Sequence, residues 1–518
     1  MSFDKINNYD DLNSLFFQVL AKKPNERNED VKEAFARVPY LNSSLFEANE
    51  MEHKTLFISN LRDAKILPLI SNTVLKGASG KKQKGALNAL QYLFEFLEAY
   101  DFGSEGAEAI QEENKTLINA SVLGLIFEKI NGYKDGSFFT PGFITMYMCR
   151  ETIRRAVVQK FNEQKGWACE SLTEVEDQLE VQDRAEANII VNSLKISDPA
   201  VGSGHFLVSA LNEIISIMND LRILQDRNCS RLKEYEFKVE NDELIITDSG
   251  ELFECHYAKK ESQRVQEAFF HEKQAIIENC LFGVDINPNS VKICRLRLWI
   301  ELLKNAYYKA PLATGEGPGG EVGLETLPNI DIYIKCGNSL ISRFGLDADI
   351  KDALKQSKWT IDSYRLAMDA YRNAQNKEEK HAMERLINDI KGDFRSEISK
   401  SDPKVKKLYK ISGELTKLTT QRSLFDMPAK EKKAWNKKLN SLNLESRKLD
   451  EAIEEIKSNK ICENAFEWRF EFPEVLNDAG DFVGFDVVIG NPPYIRIQDL
   501  VFSHLKEVEF YNLESIAS

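Results

Sequence analysis

An apolar run that ends in an acidic residue and a glycine-rich turn constrains the fold of this chain more than any other stretch. The run ends at Asp198, Gly202 and Gly204 lie in the turn, and an apolar helical pattern begins near His205. Strand, turn and helix in this order predict the first βα unit of a parallel α/β sheet, in which ligands bind at the carboxyl ends of the strands. Leu207 occupies the position of the third glycine of a dinucleotide fingerprint, and no Lys-Ser or Lys-Thr pair follows. The turn therefore predicts neither a pyrophosphate site nor a P-loop.

Two later strand ends also carry polar side chains. Asp285 follows the apolar run 281–284, and Asn338 follows the run 330–336. An acid at a strand end can bind ribose hydroxyls, and an amide can read an adenine amine. If Asp198 faces an ammonium group and the N–H groups of its turn face a carboxylate, the strand ends together suit S-adenosylmethionine. Each strand end taken singly is more typical of a plain turn.

A further motif places an amide, two prolines and a tyrosine directly after a short apolar strand. The predicted buried strand is Val487–Ile489, and residues 491–494 follow with the sequence Asn-Pro-Pro-Tyr. The side-chain oxygen of Asn491 and the carbonyl of Pro492 can each accept one N–H of an exocyclic amine, while the Tyr494 ring stacks on the base. Two such acceptors aim the lone pair of the amine at an electrophile by positioning and electrostatics, without a metal. The alternative is an ordinary turn with a tyrosine packed beside it.

Pattern and composition divide the chain into four segments. These are a helical N-terminal domain (1–135), a cofactor-binding sheet (136–345, with an insertion at about 225–270), a helical insertion (346–462) and a continuation of the sheet (463–518). In the first segment, Ala86–Leu97 repeats apolar residues with helical spacing. Thr140 is predicted to cap the helix that follows it, with Pro141 at the first helical position.

Composition excludes several classes of protein. No apolar run approaches the length of a membrane span, and no apolar core follows the first residues, so neither a membrane protein nor a secreted one is predicted. The eight cysteines include no Cys-x-x-Cys pair and have no histidine at ligand spacing, which predicts reduced thiols in a cytoplasmic protein and no metal site. Two Glu-x-Lys tripeptides, 52–54 and 113–115, lack the strand context of a nuclease site, so no nuclease is predicted.

Charge is distributed unevenly along the chain. Residues 351–460 contain 26 Lys and Arg against 18 Asp and Glu, a net charge of +8, while the whole chain has −14 and the remainder therefore −22. Helical spacing and few glycines predict long paired helices here. Such helices are either a solvated hairpin or an arm that contacts nucleic-acid phosphates without reading sequence. Within them, residues 421–425 (Gln-Arg-Ser-Leu-Phe) are similar to a sliding-clamp-binding pentapeptide, although the hydrophobic tip of a helical turn is the simpler interpretation.

Together, the motifs resemble those of gamma-class N6-adenine DNA methyltransferases, and within that family the methylase region of type IIG restriction-modification enzymes. The similarity covers nearly the whole chain. The matching motifs are Val38–Asn42, Ser137–Pro141, Asp198–Leu207, Gly283–Asp285, Gly337–Leu340, Phe466–Val475 and Asn491–Tyr494. The resemblance implies an α/β fold with a Rossmann-like methyltransferase sheet, a helical N-terminal domain and a long helical insertion.

The resemblance also implies roles for individual residues. Asn491 and Pro492 would hold the target amine in a rigid motif completed by Pro493, and Tyr494 would stack on an adenine flipped out of double-stranded DNA. S-adenosylmethionine would be bound at its methionine end by Phe138, Thr140 and Pro141, at its amino-acid part by Asp198, Gly202 and Gly204, at its ribose by Asp285 with Ile286, and at its adenine by Asn338.

Two features depart from the family pattern. Val201 stands where cysteine is common, which matters little at a packing position. Only 24 residues follow Tyr494, whereas the fold requires further strands there and the family a target-recognition domain. The sheet is therefore expected to be incomplete at the C-terminus, with the target-recognition part and any nuclease on a full-length protein or a partner chain. Such a truncated chain would bind cofactor and could fail to methylate.

Other functions share parts of the pattern. Enzymes that methylate glutamine side chains of release factors use the same Asn-Pro-Pro-Tyr chemistry, but they are much shorter and lack a Phe-Phe-Thr-Pro element and a basic helical insertion. Cytosine N4 methyltransferases usually carry serine at the position of Asn491. A non-catalytic, cofactor-binding half of a split system would also fit.

Overall fold

The computed structural model describes residues 6–35, 57–77, 80–101, 140–228, 230–232, 235–240, 243–248, 250–253, 259–307, 333–342, 356–374, 376–401, 403–421, 429–458, 465–478 and 480–491, with residues 116–118 and a few single residues between these ranges. The chain forms two compact units. The first unit comprises residues 1–283, 287–335 and 486–493, and the second comprises residues 284–286, 336–485 and 494–518.

The N-terminal part of the first unit combines short helices with short strands. Its elements are α1 (Tyr9–Ser14, continued by a π-helical turn, Leu15–Leu20), α2 (Glu29–Ala34), β1 (Ile66–Pro68), β2 (Ala86–Asn88), α3 (Ala89–Glu98), β3 (Tyr100–Asp101) and β4 (Thr116–Leu117). β1 pairs with β2, and β3 with β4. The helix predicted from residue 86 begins instead at residue 89, because the side chain of Asn88 accepts the N–H of Gln91 and caps α3.

The central part of the first unit alternates helices and strands. Its elements are α4 (Gly142–Lys165), α5 (Leu172–Gln178), α6 (Arg184–Asn192), β5 (Ile196–Asp198), α7 (His205–Asp220), β6 (Tyr235–Glu240), β7 (Glu243–Asp248), β8 (Glu251–Leu252), α8 (Lys260–Asn279), β9 (Leu281–Asp285), α9 (Pro288–Leu303) and β10 (Ile334–Cys336). A strand that ends at Asp198 and a helix that begins at His205 are confirmed.

A parallel sheet with the strand order β10-β9-β5-β11 lies at the centre of this unit, where β11 is Val487–Val488. Ile196 in β5 lies opposite Val487, and Asp198 lies opposite Gly283 of β9. The prediction of an α/β fold with a parallel sheet is thus confirmed. The predicted burial of the whole run 487–489 is not confirmed, because Val488 is 66% exposed while Val487 and Ile489 are buried. Such alternation is typical of a strand with one covered face.

Helix α4 is fixed to the sheet side of the unit by an apolar stripe. Cys149, Ile153, Val157 and Phe161 recur every four residues and are buried in the main core. Each such side chain contributes about 1.5–3 kcal/mol of burial free energy. At its N-terminal end the Thr145 hydroxyl bonds that of Ser209 in α7 at 2.8 Å. The residues just before α4 therefore have a fixed position relative to β5.

The second unit is mainly helical. It contains α10 (Ile361–Arg372), α11 (Lys377–Ser401), α12 (Pro403–Gln421), α13 (Ala429–Ser458) and α14 (Trp468–Glu471). The predicted long helices are confirmed. Helices α10 and α11 hold α14, since Tyr364 donates to the carbonyl of Phe470 at 2.5 Å and both Lys391 and Arg395 pair with Glu471. In the parts of both units that are described, no helix is long and apolar enough to cross a membrane.

Candidate active site

The chain that leaves β11 passes directly against the carboxylate of Asp198. The N–H of Ile489 donates to the carbonyl of Ser197 at 2.9 Å, so pairing with β5 continues up to Gly490. A Cβ atom on Gly490 would collide with Oδ1 of Asp198. Glycine permits this close approach of backbone to side chain, and any other residue would require the Asp198 carboxylate or strand β11 to shift. Asn491, the next residue, therefore lies beside the end of β5.

Asn491 is held by the residue that precedes helix α4. Its side-chain Nδ2 donates to the hydroxyl oxygen of Thr140 at 3.0 Å. Because Nδ2 is the end of the amide that is bound, the carbonyl Oδ1 lies on the other side of the group, where it can act as an acceptor. Three separate motifs, those of Thr140, Asp198 and Asn491, thus meet within the first unit.

This arrangement corrects the predicted role of Thr140 as a helix cap. Helix α4 begins at Gly142, with Pro141 at the cap position and no side-chain cap bond. The hydroxyl of Thr140 bonds Asn491, 351 residues away in sequence. A local capping rule cannot detect so distant a partner.

The turn after β5 is shaped by a buried carboxylate and by two glycines. Asp198 is 1% exposed, and its Oδ1 accepts the N–H of Ala200 at 3.0 Å. Gly202 and Gly204 have φ angles of 52° and 86°, in the left-handed region that favours glycine. A Cβ on Gly204 would also lie 2.7 Å from the sulfur of Cys294. The residues present fit a ligand that approaches the main chain closely, and the buried Asp198 carboxylate shapes the turn from beneath.

A buried, neutral histidine and a buried arginine support the same turn. His205 begins helix α7, and its pKa is lowered to about 2 by burial and by the guanidinium of Arg297. Arg297 donates from Nη1 to the carbonyl of Ser203 at 3.2 Å. These contacts connect α9 to the turn and fix its shape. His205 stays uncharged at neutral pH.

Asp486 anchors the start of β11, a role that the sequence analysis did not assign. Its Oδ2 accepts the N–H of Lys195 at 2.8 Å and its Oδ1 pairs with Lys160 at 2.8 Å. The N–H of Asp486 in turn donates to the carbonyl of Lys195 at 2.9 Å. The available signal was an acid directly before the apolar run of β11. The anchor sets the register that brings Asn491 to its position.

The second unit contains the remaining predicted cofactor residues that the structure describes. The carbonyl of Asp285 accepts the N–H of Gly337 at 2.9 Å, and Ile286 is 51% exposed. Asn338 forms a local turn in which its Oδ1 accepts the N–H of Leu340 at 3.1 Å. These residues share one strand-end region, as predicted from the run that precedes Asn338.

The aromatic motif at 466–475 has a definite partner in this unit. A Cβ on Gly337 would lie 2.7 Å from a ring carbon of Phe466. Trp468 donates from its indole nitrogen to the carbonyl of Ser339 at 3.0 Å, and Asn338 forms an isolated parallel bridge with Ala465. Residues 465–468 therefore position the turn that carries Asn338.

Phe138, Pro492, Pro493 and Tyr494 lie outside the described residues, as does most of the clamp-like pentapeptide 421–425. Across the described residues of both units, no cluster of three or more His, Cys, Asp or Glu side chains could hold a metal ion.

Comparison with known proteins identifies related methylases. Residues 279–515 match the Eco57I restriction-modification methylase family. The chain is similar to type IIG restriction-modification methylases. The matched region of this methylase-like protein includes Asp285, Asn338 and Asn491, and the resemblance stated from the motifs is confirmed. Residues 1–118 match a domain of unknown function, DUF7814.

Two curated relatives extend the match. A protein of Methanocaldococcus jannaschii, provisionally named a type II restriction enzyme and methyltransferase, is 28% identical over 532 aligned positions, which cover 94% of this chain and 37% of that protein. The Escherichia coli type II restriction enzyme and methyltransferase RM.Eco57I is 25% identical over 159 positions, which cover 30% of this chain and 12% of that protein. The methylase-like chain thus spans well under half the length of the relatives that it matches.

Proposed function

We propose that this chain is the methylase region of a restriction-modification enzyme that transfers a methyl group from S-adenosylmethionine to N6 of an adenine flipped out of double-stranded DNA. The proposal is carried by one observation: Asn491 forms a hydrogen bond with Thr140 while the adjacent Gly490 lies close to the carboxylate of Asp198. It brings an amide acceptor to the edge of the sheet where parallel α/β proteins bind their ligands. The sheet belongs, on this proposal, to the Rossmann-like methyltransferase class.

The cofactor would be held by residues of several strand ends. Phe138, Thr140 and Pro141 would contact its methionine end. Asp198, Gly202 and Gly204 would form the turn under its amino-acid part, Asp285 with Ile286 would bind the ribose, and Asn338 the adenine. When bound, S-adenosylmethionine supplies a methyl group on a positively charged sulfur.

The residues of the chain contribute positioning. Oδ1 of Asn491 and the carbonyl of Pro492 accept the two N–H groups of the target amine, so that its lone pair is directed toward the methyl donor. Thr140 holds Nδ2 of Asn491 and thereby keeps Oδ1 facing the amine. Tyr494 stacks on the extruded base, and the cost of unstacking, a few kcal/mol, is offset by these contacts.

Adenine is favoured over the other candidate substrates by the residue at position 491. An asparagine amide at this position supports N6 of adenine, whereas a serine is usual for cytosine N4. Glutamine methylation of a release factor would not require the N-terminal region and the helices α10–α13, which make up much of this chain.

The test measures cofactor binding and methyl transfer separately. Isothermal titration of this chain should give binding of S-adenosylmethionine, and the full-length gene product should transfer tritiated methyl to duplex DNA, recovered as N6-methyladenine after digestion. Asn491→Ala should abolish transfer while cofactor affinity changes less than about threefold, because the amide holds the target and not the donor.

Each failure has a distinct meaning. Recovery of N4-methylcytosine, or methyl transfer to a release-factor glutamine and not to DNA, would replace the proposed substrate. Cofactor binding without transfer by the full-length gene product would favour the non-catalytic, cofactor-binding half of a split system. A large loss of cofactor affinity in Asn491→Ala would contradict the role assigned to that side chain.

A further inference from the structure

Helices α12 and α13 form an antiparallel pair with a thin apolar seam. Lys407 pairs with Glu445 at 2.7 Å, which places the first part of α12 beside the middle of α13. The least exposed residues recur at intervals of three and four along each helix, as in Leu408, Ile411 and Leu415 on α12 and Leu439 and Leu442 on α13. This spacing leaves the remaining sides of both helices in solvent.

Those outer sides carry lysines in rows. Lys406, Lys410 and Lys417 are exposed on α12, and Lys433, Lys437 and Lys448 are exposed on α13. At about 100° per residue, each set of three falls within about 60° around its helix. Lysines four residues apart stand about 6 Å apart along the axis, and the α13 row extends about 22 Å, enough to follow several phosphates of a nucleic-acid backbone.

The charge of these rows is not that of an ordinary solvated helix. Helix α12 contains five Lys against one Glu, and residues 429–448 of α13 contain seven Lys and Arg against two Glu. Residues 449–458, in the last part of the same helix, contain four acidic residues against one Lys. A helix that needed charge only for solubility would mix both signs along its length. The positive charge is instead confined to one portion of the pair.

The net charge of the rest of the chain opposes binding of a polyanion. Outside residues 351–460 the net charge is −22, which repels nucleic acid at long range. We infer that the lysine rows of α12 and α13 bind the sugar–phosphate backbone of double-stranded DNA without reading its sequence. The choice of DNA rests on the proposed function. The rows supply affinity and orientation, and contacts to the backbone carry no sequence information.

The test removes four of these lysine charges. A control variant removes four exposed lysines elsewhere in the chain. The variant Lys406→Gln/Lys410→Gln/Lys433→Gln/Lys437→Gln keeps good helix-forming side chains. The matched control replaces Lys76, Lys81, Lys82 and Lys84, all exposed, by Gln, so that net charge changes equally. Binding of a fluorescent duplex of arbitrary sequence is measured by anisotropy between 50 and 200 mM salt in the full-length gene product. Titration with S-adenosylmethionine and circular dichroism check that the fold is retained.

We expect the α12–α13 variant to lose at least about tenfold in duplex affinity at the lowest salt, and its salt slope to fall by about 2 to 4, since each phosphate contact contributes about one. The control should lose less than about threefold. An equal loss in both variants, or none in the α12–α13 variant, would overturn the inference. So would preferential loss of RNA binding with duplex DNA binding intact.

The outcome is separable from that of the proposed function. Duplex binding through these lysines without methyl transfer would leave the inference standing and remove the methyltransferase proposal. Normal methyl transfer with unchanged duplex affinity and salt slope in the variant would do the reverse.

Discussion

The hydroxyl of Thr140 accepts a 3.0 Å hydrogen bond from the side-chain amide of Asn491 across 351 residues of sequence. The bond connects the entrance of helix α4 to the end of strand β11. It restrains an amide that would otherwise rotate, because a terminal amide torsion is broad. The candidate acceptor Oδ1 is thus oriented before any substrate binds.

Removing that hydroxyl should lower turnover. We expect Thr140→Val to reduce methyl transfer by the full-length gene product roughly 10- to 100-fold, since a misplaced acceptor costs about that much. The loss should fall mainly on kcat. Thr140→Ser keeps the hydroxyl and serves as the matched control, expected within about threefold of the natural rate. A Val variant as active as the natural protein would contradict the orienting role of Thr140.

A methyl group on residue 490 should displace either the Asp198 carboxylate or strand β11. Gly490→Ala places its Cβ against Oδ1 of Asp198, so we expect the free energy of unfolding to fall by about 1–3 kcal/mol. Gly392→Ala is the control, because a Cβ there meets no atom within 4 Å in helix α11. That change should raise stability by about 0.5–1 kcal/mol. Urea denaturation measures both, and equal effects would show that the approach at Gly490 has no energetic consequence.

The ion pair that anchors β11 should be stronger than an exposed helical pair. Lys160 and Asp486 have side chains only 20% and 24% exposed and lie 2.8 Å apart. A double-mutant cycle with Lys160→Met and Asp486→Ala should give a coupling energy of about 0.5–1.5 kcal/mol. The same cycle on Arg155 and Glu151, an exposed pair on α4, should give about 0.3–0.5 kcal/mol. If the two coupling energies agree, the Lys160–Asp486 pair is only a surface contact.

Acid should destabilise the turn that follows β5. The pKa of His205 is lowered to about 2 in the folded chain by burial and by Arg297, whereas an unfolded histidine titrates near 6.5. Below about pH 6.5 the unfolded chain binds a proton that the folded chain rejects, so this contribution to stability declines by up to about 1.4 kcal/mol per pH unit until about pH 2.

Urea denaturation at pH 7.5, 6.0 and 5.0 should therefore give a flatter pH dependence for His205→Asn than for the natural chain. His381, half-exposed on helix α11, supplies the control, and His381→Gln should change the pH dependence less than His205→Asn does. Parallel curves for the natural chain and His205→Asn would mean that His205 does not remain neutral in the fold.

The sequence pattern predicted the helices and strands that are determined by residues close together in the chain. The strand that ends at Asp198 and the helix from His205 follow from apolar periodicity and from the glycines of the turn between them. The start of α3 was displaced by three residues, because Asn88 caps the helix and periodicity alone does not mark a first turn.

Contacts between distant segments account for what the sequence could not predict. The partner of Thr140 and the anchoring role of Asp486 both depend on how β11 pairs with β5, which the chain specifies only after folding. The need for glycine at 490 is of the same kind, since the obstructing carboxylate belongs to Asp198. The exposure of Val488 reflects its place on the uncovered face of β11. The roles of Phe138, Pro492, Pro493 and Tyr494 stay predictions.

The parallel pairing of β11 with β5 also determines when the candidate site can first exist. Lys195 and Asp486, which meet at the start of that pairing, are separated by 291 residues. At ribosomal rates of about 5–20 residues per second, the turn at Asp198 is synthesised about 15 to 60 s before strand β11, which pairs with β5. During that interval the edge of β5 that later pairs with β11 is unpaired in the nascent chain. Competing strands and chaperones therefore have access to it.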